Sequence, residues 1–195
     1  MKKQKTTKIR ENITEVEYQK LLIYLNGKEN LTTNTKNNLK RTFILLYYTG
    51  MRINEVKQLK VKDINIIFEK EELIVVTHKT RKERKLFFSK EAIKQIKKHF
   101  LFDDNAKDND YIITVKGDTS KTPSSSTFIS KINSFIQEVL GHRYSSHSFR
   151  AGIITDMSKS INPKFIKEFI GHSDIKTTMR YIRPTSEDLK KCLIR

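Results

Sequence analysis

The chain has 195 residues, enough for one good-sized core or for one domain with a short extension. Lys and Arg number 39 against 22 Asp and Glu, a net charge of +17 with pI about 9.9. That excess draws polyanions, so nucleic acid is the default partner, although a Lys- and Asn-rich surface alone would give the same balance. No uninterrupted apolar run is long enough to span a bilayer, no apolar signal-peptide core follows Met1, and the single cysteine, Cys192, excludes an internal disulfide and fits a reducing cytoplasm.

Residues 1–12, with Lys2, Lys3, Lys5, Lys8 and Arg10, read as a disordered basic arm. Thr14-Glu15-Val16-Glu17 is a capping box, with Ile13 and Tyr18 placed as a hydrophobic staple, and predicts a helix from about Thr14 to Leu25. Leu39, Phe43, Leu46 and Tyr47 recur at helical spacing, and Gly50 can close that helix in the left-handed conformation. A short third helix carries Arg52, Glu55, Val56 and Leu59. The period then changes: Asp63 to Phe68, Glu72 to Val76 and Arg84 to Phe88 are rich in Ile, Val and Phe and predict three short strands.

Ser89 can cap a helix running to about Phe100, the segment Asp103 to Asp110 reads as a loop, and Tyr111 to Val115 as an extended piece. Beyond Pro123 the pattern is helical. Phe128, Ile132, Phe135, Ile136, Val139 and Leu140 form one stripe ended by Gly141. Ser145 or Ser146 can cap a helix carrying His147 and Arg150. Asn162-Pro163 is a cap with proline at the first helical position, Gly171 ends that helix, and Ser173 opens the one carrying Tyr181. The expected fold is a predominantly helical α+β domain with a small three-stranded antiparallel sheet.

Several side chains along this path have a use in phosphodiester chemistry. Such chemistry needs a nucleophile, neutralisation of charge on the transition state and a proton for the leaving oxygen. Guanidinium groups suit the second task, being permanently charged and able to present two donors to two oxygens. Arg52 and Glu55 lie three apart on one helical face, where a surface ion pair is the ordinary explanation. His147 and Arg150 are also three apart, in a first helical turn whose N–H groups favour an anion. His172 sits at a helix–helix corner, Tyr181 nine residues later, and Lys79 in a basic turn between two strands. Each has a commonplace role when taken singly.

Taken together, in order, these segments resemble the tyrosine recombinase (phage integrase) family across about Thr14 to Tyr181. TGMRINE (49–55) is similar to that family's first arginine box, HKTRKER (78–84) to its β-hairpin box, HSFRAG (147–152) to its His-x-x-Arg box and IGHSDIKTTMRY (170–181) to its final box. The hairpin departs from many members, with His78 and Thr80 where glycines usually flank the lysine. The resemblance implies a site-specific DNA recombinase that cleaves and rejoins DNA through a 3′-phosphotyrosyl intermediate. Tyr181 is then the nucleophile, Arg52 and Arg150 the phosphate clamp, Lys79 the proton donor to the 5′ oxygen, His147 an acid/base, His172 a donor to a phosphate oxygen and Glu55 the supporting acid.

It implies no metal and no cofactor, double-stranded DNA as substrate, a homo-oligomer, expected to be a tetramer, on DNA, and no membrane. It admits accessory DNA-bending proteins as further partners. Residues 13–181 are then the catalytic domain, and 182–195 a tail that either docks on a neighbouring protomer or packs on its own. Family members usually carry a further DNA-binding domain, and only 51 residues precede Arg52, so the expectation is a catalytic-domain fragment or a short single-domain member. Relaxation of supercoils in the manner of a type IB topoisomerase, a DNA-binding relic without catalysis, and a metal-dependent nuclease are the rival readings.

Overall fold

The computed structural model describes residues 11–77, 83–102, 105–182, 186 and 190. In chain order these form α1 (Glu15–Gly27), α2 (Thr33–Thr49), α3 (Ile53–Gln58), α4 (Val61–Lys70), β1 (Glu72–Val76), β2 (Glu83–Phe87), α5 (Lys90–His99), α6 (Ser125–Leu140), α7 (Ser146–Met157), α8 (Pro163–Ile170) and α9 (Ile175–Met179). The basic arm 1–10 and most of the tail 182–195 lie outside the described residues. No helix among those described is long and apolar enough to cross a membrane.

Helix α2 is the centre. Its residues Leu39, Phe43, Ile44, Leu45 and Leu46 are all buried, because α1, α3, α5 and α7 pack around it. From Arg41 to Leu46 every residue is buried, so this half of the helix has no solvent face to present and becomes the post on which the others lean. At about 1.5 Å per residue its 17 residues set two ends roughly 25 Å apart. Thr32 caps one end by accepting from the Thr35 N–H, and Gly50 closes the other at φ 59°. The expected box at α1 is present: the Glu17 carboxylate accepts from the Thr14 N–H at 3.0 Å, and Ile13 and Tyr18 are buried.

The sheet has two strands, not three. β1 and β2 pair antiparallel, from Glu72 opposite Phe87 to Val76 opposite Glu83. The segment expected to be the third strand is α4. Its Ile/Val content suits a strand, and Ile64, Ile66 and Phe68 alternate. Yet Val61, Ile64 and Ile67 are the residues buried, three apart, and the Asp63 carboxylate accepts from the Lys60 N–H at 2.8 Å to start a helix. Burial on a 3.6-residue period and a local cap outweigh β-propensity, which follows packing more than backbone preference. The extended piece at Tyr111 to Val115 makes only single bridges, Lys60 to Tyr111 and Val115 to Asp118.

Towards the end of the described chain, Asn162 caps α8 by accepting from the Lys164 N–H at 2.9 Å. Asp174 rather than Ser173 caps α9, and α9 ends at Met179, so Tyr181 stands in the turn after it. A close approach fixes α7 against the N-terminal segment: a Cβ on Gly152 would lie 2.3 Å from the Ile13 carbonyl oxygen, a gap that only glycine leaves open.

Candidate active site

The corner where α8 ends gathers most of the chemistry. Gly171 adopts φ 73°, which turns its own N–H back to the Lys167 and Glu168 carbonyls at 2.9 and 3.0 Å. The next three carbonyls, of Phe169, Ile170 and Gly171, are left without partners from the helix itself and carry the negative end of its dipole. Three arginines from three other elements satisfy them in succession. Arg84 of β2 donates from Nη1 to Phe169 O at 2.5 Å, Arg150 of α7 from Nη2 to Ile170 O, and Arg52 before α3 from Nη2 to Gly171 O at 3.1 Å. Arg150 also donates from Nη1 to Gly50 O at 2.8 Å, which ties the end of α2 to the same corner.

One buried carboxylate stands among these cations. Glu55 accepts from Arg52 Nη1 at 2.9 Å, from the Arg52 backbone N–H at 2.8 Å and from Arg84 Nη2 at 2.6 Å. Burial pushes its carboxyl up, but the charge of Arg84 and the hydrogen bonds from both arginines outweigh this, so it sits below the usual carboxylate range. Three guanidiniums against one carboxylate leave a local excess of two positive charges. Arg150, 6% exposed, is driven below the usual guanidinium range, by burial first and then by Arg52 and Arg84. That excess of positive charge favours an anion beside it.

The cations border open space. A cleft of about 1120 Å³ runs between β2 and α8 and is lined by Arg52, Glu55, Arg84, His147 and His172 among others. A smaller hollow of about 150 Å³ adjoins it, lined by Arg52, Asn54, His147 and Arg150. His172 Nδ1 lies 2.9 Å from the Thr178 hydroxyl, and Thr178 is fully buried. Burial, then Arg150, Arg52 and Arg84, lower the His172 pKa to about 4, so its imidazole is neutral near pH 7. The Tyr181 ring lies 21° from parallel to the His172 ring at a centroid distance of 6.4 Å. It also packs on the small apolar cluster of Ile154, Ile166 and Ile170.

Of the residues picked out by sequence, Arg52, Glu55, His147, Arg150 and His172 meet around these two hollows, with Tyr181 against His172. Tyr181 is not among the groups lining either hollow. Lys79 lies outside the described residues. Sequence reasoning missed Arg84, which was read only as the start of a strand. Its signal was there: in Glu83-Arg84-Lys85-Leu86-Phe87 the two-residue period puts Arg84 on the same inward face as Leu86, and a buried charge needs hydrogen-bonding partners. It also missed Asn54, whose Oδ1 is buried without a hydrogen-bond partner beside both hollows. Among the described residues no group of three or more His, Cys, Asp or Glu side chains is placed to hold a metal ion.

Known proteins with this sequence pattern and this fold fall in one group. The family model described as the phage integrase family matches residues 11–188. The chain is 28% identical over 156 residues to tyrosine recombinase XerA of Pyrococcus horikoshii, covering 79% of this chain and 53% of that protein. It is 28% identical over 181 residues to the TnP I resolvase of Bacillus thuringiensis, covering 87% of this chain and 59% of the relative. It therefore spans little more than half the length of these curated relatives. Among solved structures, XerA recombinase superposes with TM-score 0.67 at 19% identity, covering 93% of this chain and 63% of the other. The catalytic domain of bacteriophage HP1 integrase gives 0.55 at 16% identity, covering 93% and 94%. These structures share the fold.

Proposed function

The chain belongs to the phage integrase family, and from that premise we propose that it is a site-specific DNA recombinase acting through a covalent phosphotyrosyl intermediate. The observation that carries this reading is the convergence of Arg84, Arg150 and Arg52 on three successive carbonyls beside His172 and Tyr181. A phosphodiester seated where the cleft adjoins the smaller hollow meets Arg52 and Arg150, whose placement is set before the substrate arrives. Preorganised donors of that kind supply the largest catalytic contribution in many enzymes, about 3 kcal/mol each.

In the proposed step the Tyr181 side chain turns into the cleft and its Oη attacks phosphorus. The phenolic proton passes to His147 as the P–O bond to the 5′ carbon's oxygen breaks, and Lys79 gives that leaving oxygen a proton. Because the phosphodiester bond energy is kept in the Tyr181–phosphate link, the released hydroxyl or one from a second strand reverses the step without ATP. His172 donates from Nε2 to a non-bridging oxygen. Its Nδ1 faces the Thr178 hydroxyl, and with that hydroxyl as donor the neutral ring carries its proton on Nε2. Glu55 orients Arg52 without touching DNA. XerH has been solved bound to its difH substrate, before and after cleavage. On this reading double-stranded DNA is the substrate, and we take residues 13–181 as the catalytic unit and a homotetramer on DNA as the working assembly.

A nicked suicide substrate, from which the released strand diffuses away, tests this directly on a denaturing gel. The wild type is expected to leave a covalent protein–DNA band that survives EDTA. Tyr181→Phe is expected to bind the same DNA with unchanged affinity and leave no band. A Tyr181→Phe band equal to the wild type's removes Tyr181 from the role. No wild-type band on DNA that it binds supports a non-catalytic relic, and cleavage without adduct that EDTA abolishes supports a nuclease.

A further inference from the structure

Arg84 is the one member of the three-arginine set to which the reading above gives no role, and its surroundings are built for it. It is 7% exposed, buried on the inner face of β2. Its two terminal nitrogens diverge: Nη1 reaches Phe169 O on α8 at 2.5 Å and Nη2 reaches Glu55 on α3 at 2.6 Å. Its stem passes through a notch at Gly171, where a Cβ would lie 2.7 Å from Arg84 Cδ. Glu55 is shared, holding Arg84 on one oxygen and the Arg52 guanidinium on the other. Opposite Arg84 in the hairpin stands Val75, and the next pair is Val76 with Glu83.

We propose that Arg84 is a positioning residue of the cleft. Its guanidinium fork locks the Arg52–Glu55 pair to the α8–α9 corner carrying His172. It acts through Arg52 and His172 rather than on the phosphate. The physical reason for arginine at this position is the fork. One planar group must donate in two fixed directions, to a carboxylate on one element and a main-chain carbonyl on another, whereas a lysine ammonium is a point charge on a flexible four-carbon stem. If the fork is lost, α3 and the α8–α9 corner keep their own packing but are left joined by the Arg52 bond to Gly171 O. A misplacement of about 1 Å at a reacting group costs roughly a hundredfold in rate.

This inference rests on the phosphoryl-transfer reading, and its test separates the two. Arg84→Lys keeps the charge and removes the fork, Arg84→Met removes both, and Glu55→Gln with Arg84→Met removes the buried charge pair together, so that a folded variant is available if the single Met variant unfolds. Single-turnover cleavage of the suicide substrate is measured beside DNA affinity and melting temperature. The expected result for Arg84→Lys is a cleavage rate about a hundredfold below wild type with DNA affinity unchanged and melting close to wild type, and the Met-containing variants are at least as slow. Cleavage at the wild-type rate by folded Arg84→Lys overturns the proposal, whatever the Met variants do.

A second readout does not depend on catalysis. Arginine-selective NMR follows rotation about the Nε–Cζ bond of Arg52, assigned with Arg52→Lys. Restricted rotation in the wild type and free rotation in Arg84→Lys supports positioning even if the wild type forms no adduct, the result that would remove the enzymatic reading instead. Unchanged restriction of Arg52 in folded Arg84→Lys overturns the proposal.

Discussion

Two buried arginines lie against α2, Arg41 at its midpoint and Arg150 of α7 at its Gly50 end, and the pair separates what burial means from what function needs. Arg41 donates to the Ile112 carbonyl at 2.9 Å and to the Leu101 carbonyl at 2.9 Å, with the Phe100 and Phe102 rings 5.7 and 5.0 Å from its guanidinium carbon. Arg150 donates to the Gly50 and Ile170 carbonyls. Both satisfy main-chain acceptors that would otherwise be buried without partners. What differs is the company. Arg41 is closed in by aromatic rings and lines neither hollow at the α8 corner, whereas Arg150 borders open space in the company of two further arginines. A buried cation by itself is a fold device, and only one facing a cleft alongside other cations becomes a candidate for chemistry.

The sharpest way to break that distinction is to make the same change at both arginines. Arg150→Lys is expected to lower single-turnover cleavage by about 10²–10³, the loss typical of removing a preorganised donor at a developing charge. Arg41→Lys is expected to destabilise the fold by about 1–3 kcal/mol through one or two carbonyls left unsatisfied, seen as a lower urea midpoint, with the cleavage rate of the folded fraction unchanged. If Arg41→Lys slowed cleavage as much as Arg150→Lys, the two arginines would not be functionally distinct.

Gly171→Ala is a smaller perturbation aimed only at the cleft end. Alanine at φ 73° costs about 1 kcal/mol, and its Cβ would press on the Arg84 stem at 2.7 Å. The expected outcome is a modest drop in the urea midpoint with a cleavage loss of about tenfold, less than for Arg150→Lys because every donor remains and only its placement shifts. Cleavage at the wild-type rate would mean that the corner tolerates displacement of Arg84.

Much of this organisation was legible in the chain. Caps and closing glycines are local chemistry, so the ends of α1, α2, α5 and α8 could be read from Thr14, Gly50, Ser89, Asn162 and Gly171. The cleft residues were legible because the short spacings Arg52/Glu55 and His147/Arg150 each put two side chains on one helical face. The helix at Val61–Lys70 was not, because Ile64, Ile66 and Phe68 satisfy a strand period as well as Val61, Ile64 and Ile67 satisfy a helical one, and only the packing partner decides. Arg84 escaped for a related reason. A strand's inward face is visible in sequence, but the carboxylate that makes a buried arginine tolerable is 29 residues away on another element.

The smallest effect discriminates most finely, because each of the two arginines also has near it a histidine with a depressed pKa. On the Arg41 side, His99 is lowered by burial and by Lys40 and Lys98. Near Arg150, His172 is lowered to about 4 by burial and by Arg150, Arg52 and Arg84. In both, the unfolded chain takes up a proton near the ordinary 6.5 while the folded chain resists it. Stability from either is therefore complete above pH 6.5 and declines as the pH falls towards the folded value. His172→Gln and His99→Gln should each flatten the fall in urea midpoint between pH 6.5 and 5, a window above the ordinary carboxylate range. The two regions then part on adding an anion. Inorganic phosphate entering the cleft offsets the three guanidiniums that hold His172 down, so its pKa, followed by imidazole NMR, should rise while that of His99 stays put. Equal shifts at both would assign the effect to general screening of a +17 chain rather than to a phosphate seat beside Arg52 and Arg150.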